Sequence, residues 1–201
     1  MQKMLNIIIA FLVILLLLLL GYYFYSTKQS DVAQKSEIKV KKEKKILFPP
    51  MDKEFNFETI YGIDFKLRAS EKKIKIDGLE NKIVFLKIFG WKCKYCQKEI
   101  PQLIKLKKDL GDTFEVIAIE SELHFDDESR RYVKEYGINY HIVNGAKCRD
   151  FYDYLKVYYG WSGLIPLTIV LGKNGNILAY EEGVKSYTLS ELMKASIARD
   201  N

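Results

Sequence analysis

Two cysteines at a spacing of three are the residues of this 201-residue sequence best suited to covalent chemistry. Cys93 and Cys96 follow an apolar run, Ile83–Phe89, and precede a segment with the periodicity of an amphipathic helix. This order predicts that Cys93 lies at a helix N-terminus, where unpaired backbone N–H groups and the helix dipole favour an anion. The thiolate is the reactive form of cysteine. The spacing therefore predicts thiol–disulfide exchange, in which Cys93 attacks a disulfide and Cys96 resolves the mixed intermediate.

The alternatives for such a pair are a structural disulfide or half of a zinc site. A zinc site needs two more ligands. Cys148, His124 and His141 are the only other cysteine and histidine residues, and they show no paired ligand spacing. We therefore predict no metal and no other cofactor. Cys148 itself is expected to be a small buried apolar residue rather than part of a regulatory disulfide.

The elements that must position the pair alternate between strands and helices. This order predicts a mixed α/β fold with a central sheet and helices on both faces. A first hairpin around Gly62 is expected to pack on one edge. The predicted strands are 55–61, 64–69, 73–78, 83–89, 114–120, 140–143, 166–171 and 177–180. The predicted helices run from Cys93 to Gly111, over 127–136 and 148–159, and from Thr188, whose partner in a capping box would be Glu191.

The first 25 residues predict a membrane anchor. Residues 4–25 are almost continuously apolar, which is enough for a helix to span a bilayer, and no cleavage site follows. Residues 26–45 read as a flexible lysine-rich linker, and 46–201 as the folded domain. The net charge of +6 comes largely from local lysines, so it does not indicate a nucleic-acid partner.

At this point the sequence resembles the thioredoxin superfamily. It is most similar to the membrane-anchored TlpA/ResA-type thiol–disulfide oxidoreductases, over roughly residue 55 to the C-terminus. The resemblance rests on Cys93-Lys-Tyr-Cys96, on Glu99-Ile-Pro101, on residues 159–168 before a strand, and on the Lys173-Asn-Gly turn. The sequence departs from the family at Lys92, where the family usually has tryptophan, and Trp91 lies one residue earlier.

The resemblance implies roles for four further residues. Glu99 would exchange protons with Cys96, although a first-turn glutamate can also merely favour the helix dipole. Pro166 would follow a cis peptide bond, and the backbone edge at Ile165 would pair with an extended substrate segment. Trp91 would shield the disulfide and contact substrate, or else simply fill the core.

These features predict a single-pass protein of the cytoplasmic membrane, with its folded domain facing the periplasm or the cell exterior. Its partners would be protein thiols and disulfides of the envelope and a membrane thiol electron donor. The resemblance favours a reductant, for example in cytochrome c maturation. Lys92 and Lys94 argue instead for a DsbA-like oxidant, because they would stabilise the Cys93 thiolate and hence the reduced form. A binding module without turnover is the third alternative.

Overall fold

The computed structural model describes residues 14–23, 25 and 50–200. Residues 14–23 and 25 are helical. Within the described residues, no helix combines the length and the apolar character that a membrane crossing needs. Residues 1–13 of the predicted anchor and the whole predicted linker, 26–45, lie outside the described residues.

Residues 50–200 contain two sheets, four α-helices and two short 3-10 helices. The strands are β1 (Lys53–Glu58), β2 (Asp64–Ala69), β3 (Ile74–Ile76), β4 (Ile83–Phe89), β5 (Phe114–Glu120), β6 (His141–Asn144), β7 (Leu167–Leu171) and β8 (Ile177–Glu182). The helices are α1 (Lys94–Leu110), α2 (Asp126–Tyr136), α3 (Arg149–Tyr159) and α4 (Leu189–Asp200).

The larger sheet has the strand order β6-β5-β4-β7-β8. Strands β4, β5 and β6 are parallel, whereas β7 pairs antiparallel with β4 and β8 pairs antiparallel with β7. The carboxyl ends of β4 and β5 and the amino end of β7 therefore meet at one edge of the sheet. Segments that are far apart in sequence come together there.

Two apolar cores lie on the two faces of this sheet. Side chains alternate along β4, so that Phe85 and Phe89 share one core with α1 and α4, while Leu86 and Ile88 share the other with α3. The second core also contains side chains of the small sheet β1-β2-β3, such as Phe57. The chain just after β1 also lies against the edge strand β6, because Thr59 bridges Val143 and the Ile60 N–H donates to Ile142 O at 2.9 Å, so the expected position on one edge is confirmed.

The sequence prediction of a mixed α/β fold is confirmed. Helices α2 and α3 end at Gly137 and Gly160, which adopt the left-handed conformation that favours glycine. The capping box of α4 is present, because the Glu191 N–H donates to Thr188 Oγ1 at 3.2 Å and the Thr188 N–H donates to Glu191 Oε2 at 2.7 Å. Strands β6 and β7 and helix α3 each begin one residue later than expected.

Candidate active site

Cys93 is the N-cap residue of α1. Its backbone is extended (φ −75°, ψ 108°), and its sulfur accepts the Cys96 backbone N–H at 3.3 Å. The Cys93 N–H in turn donates to Gly90 O at 3.2 Å, which closes the turn between β4 and α1. All three cysteines carry free thiols, so this is the dithiol form. The expected position of Cys93 at the start of the helix is confirmed.

The two active-site thiols differ in burial. Cys93 is partly exposed, whereas Cys96 is only 2% exposed. Burial raises the pKa of the Cys96 thiol well above its ordinary value, the neighbouring Cys93 raises it further, and the charge of Lys87 opposes the rise. A partner disulfide can therefore reach Cys93 but not Cys96, as the roles of nucleophile and resolving thiol require.

A cis peptide bond joins Ile165 to Pro166 in the loop before β7, as the resemblance implied. The carbonyl oxygen of Ile165 lies 4.0 Å from Cys93 Sγ. The preceding residue, Leu164, is 61% exposed. The antiparallel pairing of β4 and β7 brings this backbone edge beside the reactive sulfur, although 72 residues separate the two.

Glu99 lies one turn after Cys96 and is held between two lysines. Its Oε2 is 2.5 Å from Lys87 Nζ, and its Oε1 is 3.3 Å from Lys185 Nζ. All three side chains are largely buried, with exposed fractions of 12%, 2% and 5% for Glu99, Lys87 and Lys185. Glu99 is thus the counter-ion of two buried ammonium groups, which is a more specific position than a favourable contact with the helix dipole.

Lys87 and Lys185 were missed by sequence reasoning. Lys87 lies within β4, where it also donates to Thr168 Oγ1 at 2.6 Å, and burial lowers its pKa. A lysine inside an otherwise apolar, fully buried strand was the available signal for it. Lys185 follows β8, donates to Gly183 O at 3.1 Å, and carried no comparable signal.

Trp91 does not form a substrate surface in this structure. It is 1% exposed, stacks on Tyr132 of α2 and meets Phe89 edge-on. Its indole N–H donates to Ser129 Oγ at 3.1 Å, and its carbonyl oxygen accepts from Gln97 Nε2 at 2.7 Å. The expected substrate contact is therefore corrected to core packing, because α2 encloses the ring. Through this packing α2 supports the turn before Cys93.

One acidic side chain after β5, that of Glu122, supports the same turn. Glu122 Oε2 accepts the Lys92 backbone N–H at 2.8 Å, and Gly90 leaves the space that the Glu122 side chain fills. The ligand atoms of Glu120, Glu122 and His124 lie within 4.8 Å of one another. Both carboxylates already accept backbone N–H groups, so their hydrogen bonds account for the cluster as part of the loop structure.

Cys148 lies away from this pair. It is 2% exposed, its thiol donates to Asn144 O at 3.7 Å, and burial raises its pKa to about 12. A buried thiol held in its neutral form is unreactive. This agrees with the expectation of a small buried residue.

A dithiol at the start of the helix after a central strand, faced by a cis-proline loop on the neighbouring antiparallel strand, defines a thioredoxin-like protein. The chain belongs to the AhpC/TSA family, which matches residues 62–180. The resemblance to the thioredoxin superfamily is thereby confirmed.

Known relatives carry the name of the predicted enzyme class. The thiol-disulfide oxidoreductase ResA of Halalkalibacterium halodurans is 30% identical over 129 residues, which is 61% of this chain and 66% of that protein. ResA of Bacillus anthracis is 29% identical over 112 residues, or 53% of this chain and 58% of that protein. The chain thus spans less than two thirds of the length of these curated relatives.

Solved structures share the fold. StoA from Bacillus subtilis is 18% identical with a TM-score of 0.53, and the match covers 74% of this chain and 99% of that one. A DsbF homologue from Corynebacterium diphtheriae is 22% identical with a TM-score of 0.55, and the match covers 78% and 90%. At these identities the likeness supports the fold alone.

Proposed function

We propose that this protein is a thiol–disulfide oxidoreductase that uses Cys93 and Cys96. The observation that carries the proposal is the position of Cys93. This residue is partly exposed, its sulfur accepts the Cys96 N–H, and the sulfur lies 4.0 Å from the Ile165 carbonyl oxygen. An extended partner segment that paired with the backbone at Ile165 would hold its disulfide beside this sulfur.

The exchange runs in two steps. The Cys93 thiolate attacks the partner disulfide, which forms a mixed disulfide and releases the first partner sulfur as a thiolate. The Cys96 thiolate then attacks Cys93 Sγ, the bond to the partner breaks, and the second partner sulfur leaves with the electron pair. The partner is reduced by two electrons, and the Cys93–Cys96 disulfide is the oxidised product. A thiol electron donor must reduce it before the next cycle.

We propose the reducing direction. Lys92 and Lys94, which argue for an oxidant, are exposed, and solvent and salt weaken their effect on Cys93. The Glu122 carboxylate, bonded to the Lys92 N–H, adds a negative charge on the same turn. Negative charge beside Cys93 disfavours the thiolate and thus the reduced form, which makes a dithiol a stronger reductant.

The proposed setting is the outer side of the cytoplasmic membrane, with residues 1–25 as a single-pass anchor. The apolar composition of this segment supports the anchor, and the names of the ResA relatives support the enzyme class. The substrates would be envelope proteins with disulfides, including the haem-attachment cysteines of apocytochrome c. An activity reporter fused after Asn201 should work outside the cytoplasm; one that works only in the cytoplasm would overturn this orientation.

The deciding experiment is the reduction potential of the Cys93–Cys96 pair. The full-length chain in detergent would be equilibrated with thiol–disulfide buffers, alkylated, and read by mass spectrometry, with Cys148 as an internal unreacted reference. A potential of about −270 mV or lower is expected for a reductant, whereas about −120 mV would identify an oxidant. If the pair fails to form a reversible disulfide, only the third alternative remains, a binding module without turnover.

A further inference from the structure

A cleft of about 510 Å³ lies between the loop that follows β5 and one face of α3. The loop contributes Ser121 and Leu123 to its wall. Helix α3 contributes Arg149, Tyr152 and Lys156, whose spacing places them on one face of the helix. A cleft of this size is typical of sites that bind ligands.

The two walls of the cleft are bonded to the segments that flank the reactive sulfur. On one side, Ser121 Oγ donates at 3.0 Å to the carbonyl oxygen of the last residue of β4. On the other side, the ring of Tyr152 packs against that of Trp161 at 5.4 Å, and the Trp161 indole N–H donates to Leu164 O at 3.0 Å. Leu164 precedes the backbone edge at Ile165. The cleft therefore continues the surface on which an extended partner segment would lie.

Arg149 is the cation of the cleft that has no charged partner. Lys156 Nζ lies 3.6 Å from Asp153 Oδ1, and the neighbouring Asp150 pairs with Lys53 at 3.1 Å. Exposed Arg149 has no ion pair with any residue that the structure describes. It is also the first residue of α3, where the helix dipole disfavours a cation. A charge that is unpaired and locally unfavourable indicates a role outside the helix.

Tyr152 adds a hydrogen-bond donor to the same wall. Its hydroxyl oxygen is buried and has no hydrogen-bond partner among the described part of the chain. Gly145 leaves the space for this oxygen, which a Cβ at that position would meet. Buried hydroxyls are normally paired, and a small side-chain movement on binding would let this one donate to an acceptor in the cleft. A carboxylate accepts from both a guanidinium group and a phenol.

We propose that the cleft is a subsite for an acidic side chain of the partner protein, held by Arg149 and Tyr152. This inference rests on the proposed exchange reaction and names a substrate preference for it. The favoured partner carries aspartate or glutamate near its reacting cysteine, at a position fixed by pairing with Ile165. Because side chains alternate along an extended segment, only positions on one face of it reach the cleft. The carboxylate takes no part in the bond exchange, so Arg149 determines specificity and is not a catalytic residue.

Peptides with one cysteine, held as a mixed disulfide with thionitrobenzoate, test this preference. When Cys93 attacks the peptide sulfur, the new disulfide forms and thionitrobenzoate leaves with the electron pair, so its absorbance gives the rate by stopped flow. Glutamate is placed in turn at each position near the cysteine, and each peptide is compared with the same peptide containing glutamine. The ratio of the two rates is the glutamate preference.

The reduced full-length protein in detergent should show a glutamate preference of about three- to tenfold at low ionic strength, confined to positions on one face of the peptide. The preference should fade in about 1 M salt, where the Debye length is about 3 Å.

Variants assign the preference to the cleft. Arg149→Gln should abolish it, and Arg149→Glu should favour lysine at the same peptide position. Tyr152→Phe should reduce it about two- to threefold without lowering the melting temperature, because the hydroxyl has no partner to lose. Lys105→Gln removes an exposed cation of α1 that does not line the cleft, and as the matched control it should leave the preference unchanged.

Contrary results fall into separate classes. Equal rates with glutamate and glutamine at every position, or a preference that survives Arg149→Gln, would overturn the subsite. A preference of equal size at every position would overturn it too, because it would reflect general attraction to the exposed lysines beside Cys93. An unchanged preference in Tyr152→Phe would overturn the contact with its hydroxyl. If no peptide released thionitrobenzoate from the unsubstituted protein, the proposed oxidoreductase function itself would be contradicted.

Discussion

Removal of the Glu99 charge should destabilise the protein far more than removal of Lys87. Glu99→Gln leaves two buried ammonium groups, those of Lys87 and Lys185, without their shared counter-ion. Loss of one partner from a buried ion pair costs about 3–5 kcal/mol. Lys87→Met loses the hydrogen bonds to Thr168 and Glu99, but it leaves Glu99 paired with Lys185 and removes a charge that is costly to bury, for a net loss of about 1–2 kcal/mol.

Thermal unfolding measures this asymmetry directly. At about 2–4 °C per kcal/mol for a domain of this size, Glu99→Gln should lower the melting temperature by roughly 6–20 °C. Lys87→Met should lower it by roughly 2–8 °C. Circular dichroism of the full-length chain in detergent, with the dithiol kept reduced, would give both values at neutral pH. Equal melting temperatures for the two variants would refute the assignment of Glu99 as the shared counter-ion.

The loss of stability caused by Glu99→Gln should also become smaller as the pH rises. The pKa of Lys87 is lowered in the folded state, whereas an unfolded lysine holds its proton up to about pH 10.4. Between these two values the unfolded chain binds more protons, so the free energy of unfolding rises with pH. Glu99 raises the pKa of Lys87 in the folded state. In Glu99→Gln the pH range between the folded and unfolded pKa values is therefore wider, and the free energy of unfolding rises further with pH than in the unsubstituted protein. A melting difference that grows between mildly acidic and alkaline pH would contradict this reasoning.

Three further changes test the geometry of the site. Brief treatment with iodoacetamide at neutral pH should modify Cys93 and spare buried Cys96, as mass spectrometry would reveal; equal labelling would contradict the assigned roles. Trp91→Phe should lower the free energy of unfolding by about 1–3 kcal/mol, because the Ser129 hydroxyl loses its donor. The control is the double variant that carries Trp91→Phe together with Ser129→Ala. Gly90→Ala should slow the reaction of Cys93 with disulfides, because a Cβ there would meet the Glu122 side chain at 2.4 Å; an unchanged stopped-flow rate would show that the turn does not depend on this contact.

The sequence predicted the parts of the site that are local in the chain. Cys93 and Cys96 could be placed because an apolar strand and an amphipathic helix flank them within a few residues. The cis bond before Pro166 came from resemblance alone, since most X–Pro bonds in folded proteins are trans.

Contacts between distant segments could not be predicted in this way. The burial of Trp91 depends on Tyr132, which lies 41 positions later, and periodicity cannot show which helix covers which turn. The pairing of Glu99 with Lys185 spans 86 residues. Lys87 was the exception, because a charge in the middle of a buried strand calls for a buried partner, and that partner could have been sought.

The antiparallel pairing of β4 with β7 also has a consequence during synthesis. The loop that faces Cys93 is made 72 residues after it, which at typical elongation rates corresponds to roughly 4–15 s. Cys148 is also made within this interval, ahead of β7, which completes the sheet. In the last part of that interval all three cysteines have been made while the sheet is incomplete, and a wrong pairing with Cys148 would trap the chain. We therefore expect the yield of correctly folded protein to be higher when the thiols are kept reduced until β7 docks.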